Sequence, residues 1–568
     1  MPGWWSGHWR VCAEQARGLD RPAMALLTLL LAALMWPGLV CMALVSGDDS
    51  PMAAWPALLF GCATAATLLL LTARLWLNLL LVLPLLLFQP VEWYAVHTVH
   101  SQVSPAMFAV FLLTNIGEAS DFFADRWPMM AVAAVSGLFA LGGLWWTMWR
   151  RRVVVPLRLR LTLLVPLLLA ACSVAVWQAG SADGIRIQAA AAPFTGSAVR
   201  FAQMLLQRAE VGRLAGLRAT YRHDAVSTRQ DADQLVILVI GESLRADRLG
   251  ISGCPRQTTP RLAARSGLIS LADAAACGHL TNLALPPVLT GIQADDHARM
   301  HRRSSLVAAC REAGFATCWL SNQAPTGRWD ELVASYAGEA DSVRWMNPAP
   351  LVSEWGSYRA YDDLLLAPTA DAIARLPGKT LIVLHTLGSH LRYELRYPPE
   401  LAVFQPATEP GSGESYRAQP ERMRNAYDNS VLATDALLDA CIALHERSGR
   451  PGFVMFVADH GESLYDDGEQ QGHGCLPPPA VEFRVPWLLW PSPAERRLHP
   501  QPWAAVEANR RRRTSTQDAF QTLLHLAGIA IREADPARCL GSPDYAERPR
   551  LLIDIGGRLL DFDRDVAR

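Results

Sequence analysis

Charge is what this chain has least of. Asp, Glu, Lys and Arg make up 18% of its 568 residues, against roughly 25% in an ordinary soluble protein. The net charge of −1 leaves no basic excess, which excludes a nucleic-acid binder acting through a cationic face. Eleven cysteines in so long a chain do not make a small disulfide scaffold. None is spaced as C-x-x-C, which argues against a structural zinc ribbon. No internal repeat of fixed period is visible. What the chain has in quantity is apolar residues, 51% of the total with 19 Trp. That excludes disorder, and the excess crowds into the first third.

A bilayer core needs roughly 20 apolar residues as a helix. Uncharged runs of that order occupy Ala23 to Val45, Met52 to Leu71, Met129 to Trp149 and Leu161 to Trp177. Leu75 to Phe88 reaches spanning length if it continues through Pro90 towards Tyr94. The reading is therefore five transmembrane helices in residues 1–178, and no cleavable signal peptide. Arg150, Arg151, Arg152, Arg158 and Arg160 lie between the fourth and fifth spans, which places that loop and the N-terminus in the cytoplasm. Everything after about Gln178 then lies outside the cytoplasm. Between the third and fourth spans, Met107 to Leu113 is too short to cross, and Thr114, Asn115 and Glu118 follow it. It reads equally as an interfacial segment facing the active site and as a solvated loop.

Residues 179–231 are Ala- and Arg-rich with helical spacing, and read as an amphipathic linker along the membrane surface. From Ala232 to the end, short β-branched runs alternate with helical patterns. Strands are expected at Leu235–Ile240, Phe315–Leu320, Thr380–His385, Phe453–Ala458 and Val485–Trp490. Helices are expected at Ser304–Ala313, Tyr361–Leu376, Asn425–His445 and Thr516–Ala527. That alternation indicates an α/β/α sandwich around a mostly parallel sheet. Its ligand site should lie beyond the carboxyl ends of the strands. Seven cysteines fall in this part, an odd number. Cys310 and Cys318, across an expected helix-to-strand turn, are the nearest candidates for a disulfide.

Polar clusters sit at those strand ends. The first strand runs into Gly241-Glu242-Ser243, the third into His385 and then Gly388-Ser389-His390, and the fourth into Asp459-His460-Gly461-Glu462-Ser463. Downstream lies Gly472-His473-Gly474, and Cys277-Gly278-His279-Leu280-Thr281-Asn282 precedes a predicted helix. Singly, each Glu or His has a dull explanation as a cap or a structural side chain. Together, carboxylates and imidazoles on one sheet edge make a metal site the better account. Glu242, Asp459 and His460 offer three ligands of a kind that suits zinc, with manganese the lesser fit. Thr281 is the natural occupant of the remaining position, since a metal makes a threonine hydroxyl a competent nucleophile. It also opens a helix, and a helix N-terminus attracts phosphate. His390 and His473 are left either to a second metal or to hydrogen bonds with phosphoryl oxygens.

Five segments occur in order: Val239-Ile240-Gly241-Glu242-Ser243, Pro255-Arg256-Gln257-Thr258-Thr259-Pro260, Trp319-Leu320-Ser321-Asn322-Gln323, Tyr427-Asp428-Asn429-Ser430 and Asp459-His460-Gly461-Glu462-Ser463. With them the whole chain resembles the phosphoethanolamine transferases of the Gram-negative envelope, in the alkaline phosphatase/sulfatase superfamily. The resemblance implies an α-helical membrane domain of five spans and a periplasmic catalytic domain of alkaline phosphatase-like type, in the inner membrane. It implies zinc on Glu242, Asp459, His460 and Thr281, with room for a second ion, and Thr281 as the nucleophile. His390 and His473 would handle the donor phosphate, and Thr114 and Glu118 would bind the donor in the loop between the third and fourth spans. Val110 departs from the Asn that should precede them by a helical turn. The implied reaction takes phosphoethanolamine from phosphatidylethanolamine through a phosphoethanolamine-threonine intermediate, releases diacylglycerol and loads an envelope glycan.

The acceptor reading is lipopolysaccharide, with core sugar or phosphate favoured over lipid A. The Gly388 to Tyr393 stretch is similar to the core-acting branch. Pro287 also stands where the lipid A enzymes would place a cysteine partner for Cys277, so Cys277 is expected unpaired with any neighbour in its loop. The competing readings are a sulfatase-like hydrolase or phosphodiesterase, a glycerophosphate transferase, and a non-catalytic membrane partner. No C/S-x-P-x-R sequence follows Cys254 or Cys277, which counts against the sulfatase chemistry. The intact ligand set counts against the non-catalytic partner.

Overall fold

The computed structural model describes residues 63, 66–86, 139, 142–152, 154–158, 160–161, 164–165, 168–169, 196–300, 302–323, 331–346, 361–410, 416–554 and 557–567. Most of the five expected spans, together with Met107 to Leu113, Thr114 and Glu118, lie outside the described residues. Among the described residues, no helix is long and apolar enough to cross a membrane. The chain divides into two compact units, one up to Leu205 and one from Leu206 onward. In the first, a helix spans Leu75–Leu86 within the third expected span. Asn78 ties down the turn before it, donating to Leu69 O at 2.7 Å and accepting from Thr72 N at 3.0 Å. A 23-residue helix, Gly196–Arg218, occupies part of the stretch read as the linker.

The second unit is built on a seven-stranded sheet. Its strands are β1 (Gln234–Gly241), β2 (Ile269–Ser270), β3 (Ala316–Ser321), β4 (Ser342–Trp345), β5 (Lys379–His385), β6 (Gly452–Ala458) and β7 (Trp487–Pro491). They lie in the order β2-β7-β6-β1-β5-β3-β4. Five neighbours from β6 to β4 are parallel. β7 runs antiparallel to both β6 and β2, so the sheet is mixed. The expected strand at Val485–Trp490 is therefore present but reversed in direction. The two edge strands β2 and β4 were not expected, since one has two residues and the other alternates exposed and half-buried positions.

β1 is buried along its whole length, as a central parallel strand covered on both faces must be. Its side chains alternate between two cores. Val236, Leu238 and Ile240 pack on one side with α1 (Thr281–Thr290), α2 (Leu306–Glu312) and the C-terminal helix Ala519–Leu526. Leu235, Ile237 and Val239 pack on the other with α3 (Leu366–Arg375) and α4 (Pro420–Ser448). This is the expected α/β/α sandwich. Helix α4 is longer than expected because its buried face continues from Met423 to His445. Pro420 starts it, where a missing N–H costs nothing, and Gly449 ends it at φ 67°. Cys254, Cys277, Cys310, Cys318, Cys441, Cys475 and Cys539 are all free thiols, so Cys310 and Cys318 form no disulfide.

Candidate active site

The carboxyl ends of β1 and β6 deliver the site. Register fixes them side by side: Gly241 of β1 faces Ala458 of β6, and Ile240 faces His385 of β5. Glu242 and Asp459 are the next residues on their strands. The ladder continues one step further, with Asp459 N donating to Gly241 O at 3.0 Å. Past the strand end the chain turns sharply. Ser243 sits at φ 57°, and its N–H donates to Asp459 Oδ1 at 3.0 Å. The turn after β5 closes over the same point, with Ser389 N donating to Glu242 O at 2.9 Å. Gly388 makes that approach possible. Its φ is 51°, and a Cβ there would lie 2.4 Å from Glu242 O. The half-buried Asp362 carboxylate holds this turn by accepting from Leu387 N and Gly388 N, both at 2.8 Å.

Glu242, Asp459 and His460 are buried, and a ligand atom from each falls within 4.8 Å of the others. His460 Nε2 lies 3.4 Å from Glu242 Oε1 and 3.4 Å from Asp459 Oδ2. His460 Nδ1 donates to Gly461 O at 2.9 Å, which reserves the lone pair of Nε2 for the cluster. Thr281, at the first turn of α1, donates from Oγ1 to Glu242 Oε2 at 3.2 Å and stands 3.4 Å from His460 Nε2. The structure thus brings together the four residues read from the sequence as ligands and nucleophile.

Burial dominates the electrostatics of this cluster. Burial drives the Glu242 carboxyl well above its ordinary range, and Asp459 beside it pushes the same way. Burial likewise raises Asp459, against hydrogen bonds from Ser243 N and His460 N. Burial, then His473, lowers His460 to about 3, so its imidazole is neutral and able to ligate. Asp459 Oδ2 is buried with no hydrogen-bond partner. A buried carboxylate oxygen with no proton donor is costly unless a cation meets it. Two carboxylates, a neutral imidazole and a hydroxyl fit a divalent metal in chemistry and in number.

His473 and His390 flank this cluster. The His473 ring centroid lies 4.4 Å from that of His460 and 5.4 Å from that of His390. His473 Nδ1 donates to Glu462 Oε1 at 2.8 Å. Burial would lower the His473 pKa, but Glu462, with Asp459 and Glu482 behind it, turns the net shift upward. Burial and then His473 hold His390 well below the ordinary range.

The other segments singled out in the sequence hold these groups from behind. Tyr427 Oη donates to Ser243 O at 2.7 Å, and Ser430 Oγ donates to Ser389 Oγ at 2.8 Å. Arg256 pairs with Asp428 at 2.7 Å, pinning the Pro255–Pro260 segment to α4. Sequence reasoning gave no role to Gln323, yet its Nε2 donates to Glu242 Oε2 at 3.1 Å and to Thr386 O at 2.9 Å. It also missed Glu462 and Glu482. Glu462, three residues after Asp459, was visible in its motif. Glu482 lies in a proline-rich turn that carries no signal.

Residues 234–529 match the profile of the sulfatase family. The chain is similar to phosphoethanolamine transferase CptA of Salmonella typhimurium, 28% identical over 59% of this chain and 58% of that protein. It is also similar to phosphoethanolamine transferase EptC of Escherichia coli K12, 27% identical over 58% and 57%. With EptA of Salmonella typhimurium the identity is 31% over 53% and 54%. Each of these alignments spans less than two thirds of the relative's own length. Among solved structures, the C-terminal periplasmic domain of EptC from Escherichia coli, in complex with Zn, superposes with a TM-score of 0.53 at 26% identity. It covers 60% of this chain and 95% of that one. The integral membrane protein lipooligosaccharide phosphoethanolamine transferase A from Neisseria meningitidis shares the fold at a TM-score of 0.50 and 20% identity, covering 91% and 98%.

Proposed function

This chain belongs to the sulfatase family, and on that premise we propose that it transfers phosphoethanolamine from phosphatidylethanolamine to a lipopolysaccharide acceptor. The observation that carries the proposal is Thr281 Oγ1 at 3.2 Å from Glu242 and 3.4 Å from His460, at a helix N-terminus and inside a buried acid-and-imidazole cluster. Glu242, Asp459, His460 and Thr281 would hold one zinc ion, with His390 and His473 available to a second. The metal, when bound, makes the threonine hydroxyl acidic and neutralises phosphoryl charge. The zinc-bound relative supports that choice of metal.

In the first half-reaction Thr281 Oγ forms a bond to the donor phosphorus as the phosphorus–oxygen bond to diacylglycerol breaks. The hydroxyl proton leaves Thr281, and the diacylglycerol oxygen gains one. The first-turn amides of α1 face the phosphoryl oxygens. His473, with Nδ1 committed to Glu462, offers Nε2 to the phosphate. In the second half-reaction an acceptor oxygen attacks the same phosphorus and Thr281 leaves with a proton. Thr114 and Glu118, outside the described residues, are proposed as donor-binding residues on the resemblance alone. For the acceptor, core sugar or phosphate is favoured over lipid A, in keeping with the free Cys277 thiol, which faces Ser515 Oγ at 3.3 Å.

The proposed topology is five spans in residues 1–178, a cytoplasmic N-terminus, a surface linker at 179–231 and a periplasmic catalytic domain at 232–568 in the bacterial inner membrane. A reporter fused after Asp183 should be active only outside the cytoplasm, and activity inside would sink that topology. The function is tested by diacylglycerol release from labelled phosphatidylethanolamine, with mass spectrometry of the Thr281 peptide and of the cell's core and lipid A fractions. Thr281→Ala should abolish release while retaining metal, and Thr281→Ser should retain part of it. Release at a near wild-type rate by Thr281→Ala would mean that water, not threonine, attacks. An adduct on Ser243 or Ser463 would move the nucleophile.

A further inference from the structure

The buried Glu482 has no place in the chemistry above, yet it binds three of the segments that carry it. It lies in a short turn, Ala480–Glu482, and its side chain is fully buried. Oε1 accepts from Ser463 Oγ at 3.0 Å. Oε2 accepts from His279 Nδ1 at 2.8 Å, from Gly474 N at 2.9 Å and from Cys475 N at 3.3 Å. These donors come from three separate segments. His279 is two residues before Thr281. Ser463 is three residues after His460. Gly474 and Cys475 directly follow His473.

The backbone repeats the arrangement. Glu482 O accepts from Gly461 N at 2.7 Å, and Phe483 O accepts from Ala276 N at 2.8 Å. The Phe483 ring stacks on His279 with centroids 5.1 Å apart. Gly461 passes so close that a Cβ there would lie 2.2 Å from Val481 O. Ordinary packing would need none of this convergence, because apolar side chains could fill the same volume without burying a carboxylate.

We propose that Glu482 is a positioning residue that sets the distance between the nucleophile loop at Thr281 and the phosphate-handling loop at His473. It never touches substrate. It fixes where His473 stands relative to Thr281 by binding the amides beside the one and the imidazole beside the other. A carboxylate can accept from all four donors at once, whereas an amide offers one acceptor oxygen and one clashing NH2. The inference rests on the transferase reading for its kinetic consequence but not for its structural one.

The test compares full-length wild type with Glu482→Gln in detergent, with zinc bound. Amide hydrogen exchange is measured on the peptides covering 276–283 and 472–476, alongside thermal midpoint, zinc stoichiometry and transfer kinetics. Exchange should rise in both loops together while zinc content stays constant. kcat should fall on the order of 10- to 100-fold, the scale of a ~1 Å misplacement, with KM for phosphatidylethanolamine within about twofold. A purely structural glutamate would lower the midpoint and leave kcat per folded molecule unchanged, which overturns the proposal. Exchange that rises in one loop only also overturns it. If Glu482→Gln does not fold, Ser463→Ala removes a single donor and should move both loops in the same direction by a smaller amount. Should the wild type transfer no phosphoethanolamine, the transferase reading fails, and the exchange data still decide the role of Glu482.

Discussion

Replacing Asp459 by Asn should make the metal-free protein more stable and the zinc-bound protein a poorer binder. In the wild type Asp459 Oδ1 accepts from Ser243 N at 3.0 Å and His460 N at 2.6 Å, while Oδ2 is buried and unpartnered. Asparagine keeps the first oxygen and puts a donor where the second was, beside the Glu242 carboxyl. Relief of one unsatisfied buried group is worth about 1 to 3 kcal/mol. That corresponds to a rise of about 1 to 4 °C in the metal-free midpoint for a unit of this size. The cost appears with metal. Losing one of four ligands removes roughly a quarter of a structural zinc site's free energy, about 3 kcal/mol or some 100-fold in affinity. At zinc set to 1,000 times the wild-type dissociation constant, the wild type gains about 4.1 kcal/mol and the variant about 1.4. Thermal melts in chelator and in zinc read both quantities on one sample. A metal-free midpoint that falls, with an unchanged zinc increment, would refute the reasoning and make Asp459 a structural acid.

Three further outcomes follow from the geometry. Gly388→Ala must place a Cβ against Glu242 O at φ 51°, and should cost about 2 to 4 kcal/mol while weakening zinc binding; a neutral effect in melts and metal titration would show that the turn yields freely. Acid should destabilise the fold through His223, His385 and His445, each lowered by burial to about 4. Their unfolded values lie near 6.5, so each contributes stability that is present above that pH and lost as pH falls towards 4, up to about 3 kcal/mol apiece; a urea midpoint flat from pH 7 to 5 would contradict this. Gln323→Leu removes the amide that donates to Glu242 Oε2 at 3.1 Å, and should weaken zinc about 10- to 100-fold without altering the fold by circular dichroism; unchanged affinity by calorimetry would make that contact incidental.

The carboxylate and imidazole ligands were legible because Glu242 and Asp459-His460 follow strands directly. A polar cluster after an apolar run of six, as in Leu235–Ile240 before Gly241-Glu242, marks a strand end, and strand ends converge. Strand direction was not legible. Trp487–Pro491 is as apolar as its parallel neighbours, and nothing in a fully buried strand records which way it runs. The backing of the site was legible only as recurring words. Tyr427 and Ser430 acquire a reason once α4 is seen to bring one to Ser243 O and the other to Ser389 Oγ. Glu482 stayed invisible because its four donors are up to 203 residues away in the chain and no local pattern encodes such a meeting.

The spacing of Glu242 and Asp459 comes from the rungs of a ladder, Ile240 to Val457 and Gly241 to Ala458, and owes nothing to the surface loops. Rim segments that make no contact with the cluster can be lengthened, trimmed or exchanged without moving Glu242 or Asp459, because those two hang from the central rungs of the sheet. Rim segments distant from these rungs can therefore be transplanted between relatives with every strand left untouched.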